Sequence, residues 1–182
     1  YKGPYHVDAL MRLPLVWRPA PSAGVDAAVV PEPVGQLDLA PTFCRIAGTD
    51  IPGEMEGAPL PTAPGSGRER VLCEWDSQLD TGYHLRSIVR DGWVCTVYEP
   101  STPDVGLPAA DLLALYGITD PPEPVRYDGT EGELYDLNED PLQRVNRWDD
   151  PSCAGPKADL IADLYDTLPP ARTPPLAVES MA

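Results

Sequence analysis

The sequence predicts an α/β fold that closes in a small α+β unit of about four antiparallel strands and a C-terminal helix. Three observations carry this. "RVLCEW", "HLRSIVR" and "WVCTVYE" (70–75, 84–90 and 93–99) are strand-like, and Asp91-Gly92 between the last two is a favoured two-residue hairpin turn. "GELYDL" at 132–137 offers a fourth strand. In "KADLIADLYDTL" the residues Leu160, Ile161, Leu164 and Leu168 recur at helical spacing, which gives a helix able to cover one sheet face.

Ahead of that unit, Leu13, Leu15, Val16 and Trp17 form a short apolar run bracketed by prolines, which predicts a buried strand rather than a helix. Pro19 and Pro21 stop it, and "VDAAVVPEPV" (25–34) supplies another short extended piece. The clearest helix lies in "QLDLAPTFCRIAGTDIP" (36–52). There Asp38 is placed to cap, Pro41 is tolerable in the first turn, and Gly48 can take the left-handed stop. Leu39, Phe43 and Ile46 fall on one face, and core packing is the expected use of that face. Residues 49–70, dense in Gly and Pro, read as a surface connection between two packed units. The division that follows separates residues 1–66 from an antiparallel-sheet unit at 67–182. Between the third and fourth strands lies a long stretch with a short helix around 108–116 and otherwise loop.

At 182 residues with 42% hydrophobic side chains the chain can bury a real core, while 24 Pro and 15 Gly make loops abundant. The formal charge of -16 repels phosphate backbones and anionic lipid, so neither nucleic acid nor membrane is expected as a partner. Acidity itself serves solubility and identifies no substrate. Cys44, Cys73, Cys95 and Cys153 form no C-x-x-C, and the only histidines are His6 and His84, which argues against zinc. Four cysteines allow two disulfides, but free thiols in a reducing, cytoplasmic setting are the expected state.

Few residues stand out for chemistry. Lys2 is the only cation among the first eleven residues, and Gly3-Pro4 lets the backbone turn beside it, so its ammonium could sit over an anionic ligand. His6 and Asp8 could form an acid/base pair if their segment is extended. "DLNEDP" (136–141) has the composition of a cation loop but lacks the glycine and distal glutamate of an EF-hand, and reads as a turn. Glu74-Trp75-Asp76 reads as a strand end. The chain holds no G-x-S-x-G, no phosphate-binding glycine loop and no H-E-x-x-H, so it contains no complete catalytic constellation.

Four stretches, in order, resemble the sulfatases of the alkaline phosphatase superfamily. "KGPYHVDALMRLPLVWRP" is similar to the family's lysine segment leading into a strand, and "QLDLAPTFCRIAGTDIPGEMEGAPL" to its D-L-A-P-T helix followed by a G-x-x-L loop. "RSIVRDGWVCTVYE" resembles the hairpin of the C-terminal subdomain, and "DGTEGELYDLNEDPLQRVNRWDDP" the E-L-Y-D-L-x-x-D-P ending, especially that of bacterial choline-sulfatase-like members. The resemblance implies the C-terminal portion of an alkaline-phosphatase-like sandwich, with 1–66 as the last strands and helix of the main α/β domain, 67–182 as the C-terminal antiparallel-sheet subdomain, and an insertion near 101–130. It further implies that the catalytic formylglycine, made from the cysteine of a C/S-x-P-x-R motif, and the carboxylates holding a divalent cation such as calcium lie outside this chain. In the implied mechanism hydrated formylglycine attacks sulfur, the cation polarises the sulfate, and Lys2, matching the family lysine, binds the ester and stabilises the leaving oxygen. His6 falls in a variable part of the substrate pocket and is a second candidate for substrate binding. Arg12, in "RLP" where "RVP" is commoner, is expected to be a structural ion-pair partner. The partners implied are the missing N-terminal part of the same enzyme and a small-molecule sulfate ester.

Two other readings compete. A phosphonate monoester or phosphodiester hydrolase of the same superfamily shares the scaffold and differs in nucleophile. A noncatalytic interaction module, or a proteolytic fragment, accounts for the absence of nucleophile and metal ligands.

Overall fold

The computed structural model describes residues 5–76, 84–100, 114, 117 and 126–167. Strands β1 (Arg70–Asp76), β2 (His84–Arg90), β3 (Trp93–Glu99) and β4 (Gly132–Asp136) form one antiparallel meander in the order β1-β2-β3-β4. The turn between β2 and β3 is the expected one. Asp91 and Gly92 both take positive φ, 53° and 79°, the combination that matches the twist of two paired strands. That turn fixes the register: Arg90 faces Trp93, Ile88 faces Cys95 and Ser87 faces Thr96.

Alternation along these strands produces two chemically different faces. On one, Leu72, Ile88, Cys95 and Leu134 line up as successive cross-strand partners. Helix α3 (Ala154–Thr167) lies over this face and brings down Leu160 and Leu164, which with Trp148 and Cys153 complete the core. Burying each such aliphatic side chain contributes about 1.5–3 kcal/mol. Trp148 is held by its indole N–H, which donates to the Thr130 carbonyl at 2.8 Å, and Lys157 lies 4.6 Å above its ring. A Cβ on Gly132 would collide with that indole, so the strand needs glycine there. Arg90 pairs with Asp159 and Asp163 of α3, fastening the helix to the end of the interior strand β2.

The other face carries Leu85, Ser87, Val94, Thr96 and Tyr135, all buried. Chain from the N-terminal region reaches it. His6 bonds to Ser87, and after it helix α1 (Asp8–Met11) forms a single turn. The Asp8 backbone N–H donates to Gln143 Oε1 at 2.6 Å, in the loop after β4.

Helix α2 (Leu39–Ala47) forms as expected, entered through a 3-10 turn at Gln36–Asp38 and stopped by Gly48 at φ 69°. Two expectations of this region need correction. No strand forms over Leu13–Trp17: the segment is irregular, and Val16 is 94% exposed. Pro14, Pro19 and Pro21 remove ladder donors, and an apolar run becomes a strand only beside another strand. Likewise the apolar side of α2 is not packed, since Phe43 and Ile46 are each 63% exposed and the helix buries Pro41 and Thr42 instead. The short helix expected at 108–116, most of the insertion, and Leu168 lie outside the described residues.

Candidate functional site

Lys2, the residue to which the sequence assigns chemistry, lies outside the described residues. The segment following it is described and is tied to the sheet. His6 is 8% exposed, and its Nδ1 lies 2.6 Å from Ser87 Oγ, which lies 2.7 Å from Thr96 Oγ1. Ser87 and Thr96 are direct cross-strand partners, so the three groups form one continuous hydrogen-bonded chain from the N-terminal segment across the two central strands. Burial, and then the positive charge of Arg86, lower the imidazole's pKa below its ordinary value. Neutral imidazole accepts at Nδ1 when the other nitrogen carries the proton, and both hydroxyls can rotate to suit.

The acid/base pair of His6 and Asp8 does not form. The backbone turns into α1 at Asp8, whose carboxylate pairs instead with Arg12 at 2.9 Å, one helical turn on. Arg12 is thus engaged as the ion-pair partner the sequence suggested.

The D-L-A-P-T helix and the G-x-x-L loop prove to be halves of one knot. Asp38 is 1% exposed, accepts from Gly35 N at 2.7 Å and from Ala58 N at 2.9 Å, and pairs with Arg68. Its side chain therefore reaches back and across rather than capping α2. Thr42 Oγ1 donates to the Asp38 carbonyl at 2.6 Å and accepts from Leu60 N at 2.8 Å. Gly57 is required because a Cβ there would strike the Leu37 carbonyl. These motif residues hold the backbone in shape, and none presents a reactive group.

Two further places offer less. An open groove of about 640 Å³ runs between residues 15–34 and 60–62, with walls that include Leu15, Val16, Trp17, Val29 and Leu60. Its lining is mostly apolar, with Arg18, Asp26 and Glu32 as the charged groups among it. At the far end of β2, Arg86 meets Asp76 at 2.8 Å and Glu99 at 3.5 Å, while His84 Nδ1 meets the same Asp76 at 2.9 Å. The Arg86 guanidinium is thus shared among carboxylates, Glu74 at 3.9 Å being the third. "DLNEDP" is a turn as expected: Asp136 Oδ1 accepts from Asn138 N at 2.9 Å, and Asp140 Oδ2 accepts from Arg144 N at 2.6 Å.

Among the described residues no group of three or more His, Cys, Asp and Glu could hold a metal ion, and no helix is long and apolar enough to cross a membrane. The partners of His6 escaped the sequence reading, although a signal was there. Once Asp91-Gly92 is taken as a two-residue turn, counting outward places Ser87 opposite Thr96, two hydroxyls facing each other inside a sheet.

No protein-family model matches this sequence, and no curated protein matches it. Among solved structures the chain is similar to BT4656, in a structure described as its complex with its substrate D-glucosamine-2-N,6-O-disulfate. The likeness has a TM-score of 0.49 and 17% sequence identity, and covers 71% of this chain and 23% of that one. The chain thus corresponds to less than a quarter of that protein's length.

Proposed function

We propose that this chain is the C-terminal part of a sulfatase that hydrolyses a small-molecule sulfate ester, with Lys2 as the catalytic residue it contributes. The observation that carries the reading is the knot. The two motifs on which the family resemblance rests, D-L-A-P-T and G-x-x-L, are bonded to each other through Asp38 to Ala58 and Thr42 to Leu60. Residues that recur together in a family for a structural reason should meet in space, and these do.

Lys2 suits the chemistry assigned to it. As the sulfur–oxygen bond to the alcohol breaks, the departing oxygen takes the bonding pair and gains negative charge, and an ammonium beside it stabilises that charge most in the transition state. Direct substrate contact by His6 would have to be made through Nε2, because Nδ1 is engaged with Ser87. The described residues offer no cluster able to hold a metal, so no step is assigned to a cation on this chain. The formylglycine and a divalent cation, calcium by the resemblance, belong in this reading to the missing N-terminal part of the same enzyme. The apolar side chains of α2 and of the groove fit a surface which that part covers. The same reading divides the chain at 66/67. It places the enzyme in the cytoplasm, in keeping with four cysteines that pair with nothing.

The test is an assay of the isolated chain and of the protein that joins it to its upstream region, on an aryl sulfate and on choline sulfate. The isolated chain should turn over neither, and the joined protein should turn over at least one. In the joined protein Lys2→Ala should lower kcat by about two to three orders of magnitude with melting unchanged, the scale of losing one oxyanion donor. Turnover of a phosphonate monoester without any sulfate ester, or near-normal rates in Lys2→Ala, would overturn the reading.

A further inference from the structure

The outer face of the sheet poses a question of cost. Ser87 is fully buried and Thr96 nearly so, on a face where valine would pack without any polar group to satisfy. Nearby, Gln143 takes a φ of 51°, the left-handed region that a residue with a Cβ rarely enters. Both features face the same short piece of chain. Ser87, itself bonded to Thr96, holds His6, and Gln143 Oε1 accepts the backbone N–H of Asp8. The partners are far apart in sequence, 81 positions for His6 and Ser87 and 135 for Asp8 and Gln143, so neither bond follows from local folding.

We infer that His6 and Gln143 are positioning residues: together they clamp residues 6–8 onto the outer face of the sheet and so fix the anchor point for Lys2, which lies four residues earlier in the sequence. An apolar contact would resist separation but permit sliding and rotation. Two directional hydrogen bonds, one from strand β2 and one from the loop after β4, fix both. The Nδ1 side of His6 then serves the clamp, and α1 continues from the clamped end, with Leu10 N and Met11 N donating to the Val7 carbonyl at 2.9 and 3.0 Å. The catalytic consequence rests on the role proposed above for Lys2. The clamp itself does not.

Two variants test it. Gln143→Gly removes the side-chain acceptor and also relieves the positive φ, so a residue of merely structural value should be replaced at little cost or with a gain in stability. Ser87→Ala removes the partner of Nδ1. In the chain, amide hydrogen exchange at Asp8, Leu10, Met11 and Arg12 should quicken by at least about tenfold in each variant, with the amides of β2 and β3 unchanged. In the joined protein kcat should fall by about ten- to a hundredfold while KM moves less than about twofold, as expected for a misplaced catalytic group. Gln143→Glu, which keeps an acceptor for Asp8 N–H, should recover most of the rate, and His6→Asn, which keeps a polar atom near Nδ1, should outperform His6→Leu. Unchanged exchange in residues 8–12 would overturn the clamp. Quickened exchange with an unchanged kcat would overturn its positioning role. A wild-type protein that hydrolyses no sulfate ester would refute the role of Lys2 instead, and the exchange measurement would then decide the clamp by itself.

Discussion

The sheet with its helix and the stretch from residue 5 to residue 62 are built from similar proportions of apolar residues, yet they use them in opposite ways. In the first, Ile88, Val94, Cys95, Leu134 and Leu164 are sealed from solvent. In the second, Leu13, Leu15, Val16, Val29, Phe43 and Ile46 all stand more than half exposed. What gives the second region its shape is a set of polar contacts around the buried Asp38 and Thr42: Asp38 with Gly35, Ala58 and, just beyond the stretch, Arg68, and Thr42 with Leu60. One region is held by packing and the other by directional bonds. The difference teaches that an apolar pattern states only which side of an element wants cover. It does not say whether the same chain supplies that cover.

If this division is right, truncating apolar side chains should have very unequal effects. Leu134→Ala should cost about 2–5 kcal/mol in urea unfolding of the chain, the range for emptying a well-packed core site. Phe43→Ala and Ile46→Ala, equally apolar by sequence, should stay within about 0.5 kcal/mol, as surface changes do. A cost above about 2 kcal/mol at Phe43 would show that α2 is packed after all.

A smaller effect separates the regions by pH, because His6 joins them. Its pKa in the folded chain lies below the ordinary imidazole value of 6.5, owing to burial and then to Arg86. The unfolded chain therefore takes up the proton first as pH falls, so the stabilisation is fully present above about pH 6.5 and is lost on going down through the folded value. Unfolding free energies measured at pH 7 and pH 5 should differ more in the wild type than in His6→Asn. Equal differences would remove His6 from the account.

The smallest effect concerns the cysteines, none of which is paired. Thiol titration after denaturation without reductant should count four. In the folded chain Cys95 should react last, since burial removes it from reagent and pushes its thiol up to about 12. A count of two would mean a disulfide and an oxidising compartment.

How much of this was legible in the sequence follows the same line. Strand alternation and the Asp91-Gly92 turn announced β1 to β4, and the spacing of Leu160, Ile161 and Leu164 announced α3, because each signal is local and its cover lies in the same unit. Gly48 as the stop of α2 was equally readable. Leu13 to Trp17 misled because a strand is defined by its neighbour, which composition does not contain, and Phe43 misled for the same reason. Asp38 was readable as a residue near a helix start, but its partners lie 20 and 30 positions away, at Ala58 and Arg68, where no periodicity points. For the candidate site, Lys2 came from family resemblance, and the contact between His6 and Ser87 needed the fold.

The most direct test of the contrast is native-state hydrogen exchange on the isolated chain, read residue by residue. Amides of Ile88, Cys95 and Leu134 should exchange only through global unfolding, whereas those of Phe43, Cys44, Arg45 and Ile46 should open locally and exchange at least about a hundredfold faster. Equal protection in α2 and in the sheet would contradict the account, because it would mean that the exposed apolar face of α2 belongs to the same cooperative core.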